Sequence, residues 1–462
     1  IGISYDMNAL GNLNVNYKSF TEERDGTIFI TSPGVENKSE TNENNISLKY
    51  QKDLSKSVSL NIDYYKTGYV NKEEQIDQNN NLRNNNFDQT LNRLDIRFKH
   101  STSTGSYYTI GFGYDKELLE RTNISVKPKH NSQFIYFQYD WNTNDRFNLV
   151  SGIRYDNHNK YSSQISPKVS FKYDFSENLN LKGSFGYGYK TPDFRQLYLN
   201  FSNSTSGYIV LGTSVIDDVI TELQNNNDLI FYNDQFTTNL TAENSNSYNL
   251  GLQYFITPEI PLDINLFRNN IYNLIETNIV GRKTNGQTIY SYSNVDKAFT
   301  QGMEVQGSWN PIKKLSLKGG YQLLFAKDNT AIDEFKSGIV FARDPITKQS
   351  FELQSDDYFG LYGRSRHQVN IGINYYMNQN KDNINLRFNY RGKFGLVDTN
   401  NNSYLDKYDN YIKGHVISNI TINKYITKNI SFQAFIKNLL GYKDVVNLLN
   451  NPGRTVSFKV IF

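Results

Sequence analysis

The feature that most limits what this chain can become is a two-residue alternation of apolar and polar side chains, repeated from one end of its 462 residues to the other. In the last stretch Val456, Phe458, Val460 and Phe462 fall on one side of an extended backbone, and Thr455, Ser457 and Lys459 on the other. Over 56 to 66, Val58, Leu60, Ile62 and Tyr64 oppose Ser57, Ser59, Asn61 and Asp63. Over 178 to 190, Leu179, Leu181, Phe185, Tyr187 and Tyr189 oppose Asn180, Lys182, Ser184, Gly186 and Lys190. Successive strand side chains point to opposite faces, so each segment has one greasy side and one wet side. The pattern recurs about nineteen times, with connections that alternate between very short and very long, and so predicts an all-β chain folded as a transmembrane antiparallel β-barrel.

Composition narrows the choice. Mean hydropathy is -0.63, and no apolar run reaches the roughly 18 residues that a membrane-spanning helix needs. A strand of about 10 residues tilted near 45° crosses the roughly 25 Å apolar band of an outer membrane, so the segment lengths suit that bilayer. Aromatic residues make up 14% of the chain, with 35 Tyr and 29 Phe, as expected where such rings line both membrane interfaces and furnish loop contacts. There is no cysteine, which excludes disulfides, thiol catalysis and zinc-thiolate sites. Net charge is +3, and Lys and Arg are scattered singly, so no basic stripe supports nucleic-acid binding. No linker or composition break divides the chain, and residues 1–462 read as one barrel domain. Ile1-Gly2-Ile3-Ser4 reads as the inside of a strand and not as a signal peptide, so the barrel is expected to be incomplete at this end.

Tight connections are expected at Asp53 to Lys56, Asn142 to Asp145, Asp174 to Asn178, Asn310 to Lys314, Asn378 to Asn383 and Thr427 to Asn429. Long ones are expected at about 20 to 42, 67 to 90, 115 to 130, 191 to 243, 281 to 292, 326 to 364, 397 to 410 and 441 to 452. Trp141 and Trp309 stand at strand ends entering tight turns and read as periplasmic interface anchors.

Several local patterns, in order, resemble those of TonB-dependent outer-membrane receptors. Gln164-Ile165-Ser166-Pro167-Lys168-Val169-Ser170-Phe171-Lys172-Tyr173 is similar to their Ser-Pro-basic-apolar strand. Gly188-Tyr189-Lys190-Thr191-Pro192-Asp193-Phe194-Arg195-Gln196-Leu197-Tyr198 resembles the segment that leads into a large loop. Glu243-Asn244-Ser245 through Leu250-Gly251 resembles a strand opening of the family, with Ala242 where proline is usual. Asn270 to Ile275, Asn294-Val295 through Val305, Arg364-Ser365-Arg366-His367, Lys437-Asn438-Leu439 and Pro452-Gly453-Arg454 with terminal Phe462 complete a match over about 160 to 462. The resemblance implies a 22-stranded barrel around an N-terminal plug, of which about 19 strands would be present here. It further implies a Gram-negative outer-membrane address, a TonB-type inner-membrane energy complex as partner, and no enzyme activity. The implied cargo is a small-molecule ligand, most readily an iron complex such as a siderophore or haem. Haem receptors of the family often carry a histidine in the loop that here spans 191 to 243, which has none.

The candidate ligand residues lie in the longest loops: Arg195, Tyr198, Tyr208, Phe231 and Tyr232 in the first, with a short helix expected near Ser214 to Asn225, and Tyr358 in the second. Lys168, Lys172, Lys182 and Lys190, joined by Arg195, either attract an anionic ligand or merely solvate the lumen and pair with carboxylates. Asp398, Asn400, Asn402, Tyr404, Asp406 and Asp409 reproduce the 1-3-5-7-9-12 oxygen spacing of an EF-hand calcium loop. Ser403 replaces its turn glycine and Asp409 its glutamate, so the segment is either a structural calcium site or an Asn/Asp-rich hairpin loop. The five histidines, His100, His130, His158, His367 and His415, fall on separate strands or loops and assemble no triad for a hydrolase. A passive porin and a structural barrel subunit of a larger outer-membrane complex remain the competing readings.

Overall fold

The computed structural model describes residues 1–28, 35–76, 82–122, 124, 127–144, 146–203, 207–234, 236, 238–343, 347–377, 382–400, 402–427, 430–444 and 453–461. Nineteen successive long strands run through these residues, as the alternation predicts. The chain divides into two compact units: 1–169 with 186–245 and 272–295, and 170–185 with 246–271 and 296–462.

In the first unit eight strands pair in chain order, every pair antiparallel: Gly2–Asp6, Asn12–Ile28, Val35–Asp53, Val58–Ile76, Phe87–Ser101, Tyr107–Arg121, Lys129–Asn144 and Phe147–His158. The second unit repeats the arrangement from the distal part of Thr288–Ile312 through Leu315–Asp328, His367–Tyr376, Asn383–Arg391, His415–Tyr425, Ser431–Lys437 and Thr455–Ile461. Gln164–Ser176, Leu179–Lys190, Glu243–Thr257 and Ile260–Lys283 supply the remaining four.

The two faces separate as the sequence requires. Along Glu243–Thr257, Tyr248, Leu250, Leu252, Tyr254 and Ile256 are all exposed. On the opposite face Asn249 donates to Ser184 Oγ at 3.3 Å, and Gln253 Oε1 accepts from Asn180 at 3.1 Å and Lys182 at 3.3 Å. Exposed apolar side chains at alternate positions, backed by satisfied polar ones, are what a strand between lipid and water needs. Val456 is 55% exposed on the same principle, and Trp141 and Trp309 are exposed beside their turns. In the first unit the wet face is laced by ion pairs: Arg97 with Asp63 and Asp95, Arg93 with Asp115, and Arg154 with Asp156. Tyr136 Oη donates to Asp95, and the Arg154 guanidinium lies 3.7 Å from the Phe134 ring centroid.

The expected loops at 20 to 42, 67 to 90, 115 to 130 and 281 to 292 are corrected by the structure, because most of each is strand. Asn12–Ile28 and Val35–Asp53 stay in register from Asn12↔Gln51 to Ile28↔Val35, and Val58–Ile76 runs far past the expected end at 66. Beyond the apolar band both faces of a strand meet water, so alternation disappears from the sequence while the backbone ladder continues. The genuinely irregular connections among the described residues are those at 191–243, 326–364 and 397–410. The tight turns expected at 378–383 and 427–429, the loop at 441–452, and Pro452 and Phe462 lie partly or wholly outside the described residues.

Two buried glycines show how the wet face is packed. Gly113 faces Phe134 and Gly111 faces Tyr136 across the ladder, and each ring occupies the space a Cβ would take. An aromatic ring covering a strand glycine restores packing that the missing side chain gives up. Gly113→Val should evict the Phe134 ring from beneath Arg154 and destabilise the sheet by about 1–3 kcal/mol, read as a lower thermal midpoint of the purified protein than for Gly26→Ala, where nothing lies within 4 Å.

Candidate ligand site

In the first unit the 191–243 connection folds on itself. Asp193 caps helix α1 (Phe194–Tyr198) and forms a reciprocal capping box with Gln196, which satisfies two backbone N–H groups at the start of this short helix. Helix α2 (Ile216–Asn225) buries Ile216, Ile220 and Leu223, spaced at helical period, against Ile209, Leu211, Val280 and Ile289. Asp217 and Asp218 sit at its positive end. This is the helix expected near Ser214 to Asn225.

The candidate residues take different places around this framework. Arg195 is mostly exposed and its Nη2 meets Asp193 at 2.8 Å. Tyr198 packs between two small cores, one with Leu119, Ile124 and Phe194, the other with Leu197, Leu240 and Ile275. Tyr208 stands edge-on to Tyr290 at 6.2 Å. Tyr232 packs on the α2 core, while its neighbour Phe231 is 52% exposed.

Beneath α1 lies a polar cavity of about 310 Å³, lined among others by Glu117, His130, Asp156, His158 and Lys190. His130 and His158, expected apart, are brought together with ring centroids 5.0 Å apart. The ladder between Lys129–Asn144 and Phe147–His158 pairs Ser132 with His158, which carries His130 to the same end of the two strands. His130 is buried, its ring packs 4.3 Å from Phe194, and its Nε2 has no hydrogen-bond partner. It lies beyond the apolar band, which on this strand gives way to Gln133 and Asn131 after Ile135. Burial, then His158 and Lys160, pull the His130 pKa down to about 4, with Asp193 opposing.

In the second unit the 326–364 and 397–410 connections fold as one body. Helix α3 (Asn329–Lys336), capped by Asp328, contributes Ala331 and Phe335 to a core with Val340, Ala342, Leu353 and Tyr358. Tyr358 is 3% exposed, and its hydroxyl accepts the Asp328 N–H at 3.1 Å.

At the base of these loops stands a group of cations that the sequence did not single out together. The Arg366 guanidinium lies 4.4 Å from the Phe359 ring centroid and donates to the Phe359 carbonyl at 3.1 Å, while its buried Nε has no partner. The Lys393 ammonium lies 4.8 Å from the Tyr411 centroid and 5.7 Å from that of Phe359. Lys327 sits over Tyr358 at 5.3 Å, and Arg391 over Phe394 at 3.6 Å. Burial, and next Arg366, push the Lys327 ammonium below its usual range. No ion pair joins Lys327, Arg366, Arg391 or Lys393 to a carboxylate among the described residues. Strand pairing assembles the group: Gln368 is paired with Arg391 and Gly392 N–H donates to His367 O, so Arg366 and Lys393 stand side by side just beyond the ends of the two strands. By contrast four of the five cations weighed from sequence are engaged elsewhere, Lys172 with Asp174, Lys190 with Glu243, Arg195 with Asp193, and Lys182 with Gln253, while the Lys168 stem packs over Gly152.

The loop with calcium-like spacing is closed by its own hydrogen bonds. Asp406 Oδ2 accepts from Asn400 Nδ2 at 2.8 Å and Asn402 Nδ2 at 2.7 Å. Asp398 accepts from Asn400 N and Ser403 N, and Asp409 from Thr399 N and Asp406 N. The Tyr404 backbone N–H donates to Asn402 Oδ1, and its hydroxyl bonds Glu334. Among the described residues no group of three or more His, Asp or Glu is gathered as for a metal ion.

Residues 3–439 match the family described as TonB dependent receptor-like, beta-barrel, and the chain belongs to that family. Among curated relatives, the probable TonB-dependent siderophore receptor PirA of Acinetobacter baumannii is 27% identical over 227 residues, 46% of this chain and 28% of that protein. The ferrienterobactin receptor of Escherichia coli K12 is 27% identical over 167 residues, 35% of this chain and 20% of its own length. The matched stretches thus span less than a third of these relatives. The solved siderophore receptor PirA from Pseudomonas aeruginosa superposes with a TM-score of 0.58 at 13% identity, over 99% of this chain and 78% of that one. The ferric-catecholate import receptor Fiu from E. coli K12 gives 0.62 at 12%, over 96% and 70%. These likenesses establish the barrel fold.

His130 makes the seat of α1 sensitive to acid. Its pKa is lower in the fold than in the unfolded chain, so its contribution is whole above pH 6.5 and is lost as pH falls towards about 4, a change of about 3 kcal/mol. Glu117, raised by burial, acts in the opposite sense. His130→Phe should therefore remove an acid-dependent rise in amide exchange at Leu197 and Leu199 between pH 7 and 4.5, measured against the unaltered protein.

Proposed function

We propose that this chain forms the barrel of an energy-coupled receptor in the outer membrane of a Gram-negative bacterium, and that it imports an anionic iron chelate. The observation that carries the reading is the group formed by Lys327, Arg366, Arg391 and Lys393. These are cations kept on aromatic faces and backbone carbonyls, and none forms an ion pair with a carboxylate among the described residues. Protein cations near the interior are ordinarily paired, as Arg93, Arg97 and Arg154 are here. A set left unpaired attracts a multiply charged anion, and the neighbouring rings offer flat surfaces to an aromatic chelator. The family supports a small-molecule ligand and a partnership with TonB, and the siderophore and ferrienterobactin receptors among its relatives supply the iron-siderophore context. Arg195, Tyr198, Tyr208, Phe231, Tyr232 and Tyr358 belong to the same proposal: Phe231 and Arg195 as exposed contacts, the tyrosines as the framework that holds the loops. A plug segment within the barrel and a TonB-type complex would couple binding to passage, with no enzymatic step.

For the 398–409 loop we infer that the self-bonded form is the resting state, and that calcium would enter only by displacing the Asn400 and Asn402 amides from Asp406. Millimolar calcium against EDTA should then shift the melting midpoint of the intact receptor upward; an unchanged midpoint removes calcium from the account.

The direct test is binding of the iron(III) tris-catecholate complex to the purified receptor, together with growth of a deletion strain on that complex as iron source. Arg366→Ala and Lys393→Ala should each weaken binding by about tenfold, since one charge-assisted contact is worth roughly 1.5–3 kcal/mol. Binding should also weaken as salt rises. Equal affinity of the variants and the unaltered receptor would sink the reading.

A further inference from the structure

We propose that Asp406 is a positioning residue that fixes the Arg366 and Lys393 cations from a distance, an inference that rests on the ligand reading above. Asp406 is fully buried, and among the described residues no cation forms an ion pair with it. Its carboxylate is instead held by donors: Asn400 and Asn402 on Oδ2, and the Tyr408 N–H on Oδ1 at 2.8 Å. Three donors around a buried carboxylate satisfy its oxygens and hold it in place.

From this fixed point two tethers run. The first crosses to the other loop. Asp406 is bridged to Tyr358, and the bridge is flanked by Phe359 N–H to Leu405 O at 2.9 Å and Lys407 N–H to Asp357 O at 2.9 Å. Lys407 adds an ion pair with Asp357 at 2.5 Å. This strap holds Phe359, whose ring and carbonyl are the two seats of Arg366. The second tether runs along its own loop: the Asp406 carbonyl accepts the Tyr411 hydroxyl at 2.6 Å, and the Tyr411 ring is the nearer seat of Lys393. The Phe359 and Tyr411 rings touch, with centroids 4.9 Å apart, so the two seats form one surface. A single side chain that meets neither cation thereby sets where both stand. The calcium-like spacing of carboxylates and amides acquires a use without a metal: the amides of Asn400 and Asn402 occupy the acceptors that a cation would otherwise require.

The test uses full-length receptor, with Asp406→Ala and Asp406→Asn. Asp406→Ala should speed amide exchange at Phe359 and Lys407, weaken binding of the iron(III) tris-catecholate complex by about tenfold, and flatten the dependence of affinity on salt towards that of the Arg366→Ala Lys393→Ala double variant. A general loosening of the loop would lower affinity without changing the salt slope, so the slope reports the positions of the charges. Asp406→Asn, which keeps shape and one acceptor, should recover most of the affinity and the slope. Faster exchange with the slope unchanged overturns the positioning role, and so does unchanged exchange. Should Asp406→Ala fail to fold, Tyr411→Phe cuts only the second tether and is expected to give a few-fold loss of affinity with a smaller change in slope; no change in either overturns the proposal. If the unaltered receptor does not bind the complex, the ligand reading fails, and the exchange comparison alone then decides whether Asp406 holds Phe359.

Discussion

Everything in this molecule depends on giving each backbone N–H and C=O a partner where water is absent. A chain that crosses hydrocarbon as extended strands has no internal ladder of its own, so each strand must be satisfied by its neighbours. The antiparallel registers are therefore long and almost unbroken, as between Val35–Asp53 and Val58–Ile76, with register shifts at turn-proximal sites such as Asn142/Asn144 and Trp309/Ile312. Once the backbone is settled this way, side chains are free to differ by face, apolar where they meet lipid and charged where they meet water.

That freedom also sorts the charges. Over most of the wet face, acid and base are matched across neighbouring strands: Arg93 with Asp115, Arg97 with Asp63 and Asp95, Arg154 with Asp156. Matched pairs of this kind stiffen a wall and have no remaining charge with which to recruit an ion. At the base of the loops of the second unit the rule is suspended, and cations rest on rings and carbonyls instead. The proposed ligand site rests on this contrast more than on the presence of positive charge.

The architecture was legible because its cause is periodic. Val456 with Phe458, or Tyr248 through Ile256, declare which face meets lipid, and the count of nineteen strands follows from repetition. Resemblance from Gln164 onward named the family. What stayed hidden was whatever lies outside the two-solvent zone. Strands such as Val58–Ile76 outrun their own pattern once both faces are wet, and so read as loops. The cation group was hidden for a different reason: Arg366 and Lys393 are 27 positions apart and meet only through the register of one hairpin, which the Gln368–Arg391 pair reveals. His130 and His158 came together in the same manner. The residues from 398 to 409 showed their oxygen spacing plainly, but spacing cannot tell whether an aspartate accepts from a metal or from its neighbours' amides.

The overlong hairpins carry one last implication. A strand of 19 residues, such as Val35–Asp53, is about 60 Å long at roughly 3.3 Å per residue, well over what a tilted crossing of a roughly 25 Å layer consumes. The surplus is ribbon, stiffened by continuous pairing on both edges. Such a ribbon keeps its form with water on both faces, because a ladder on each edge takes the place of a packed core.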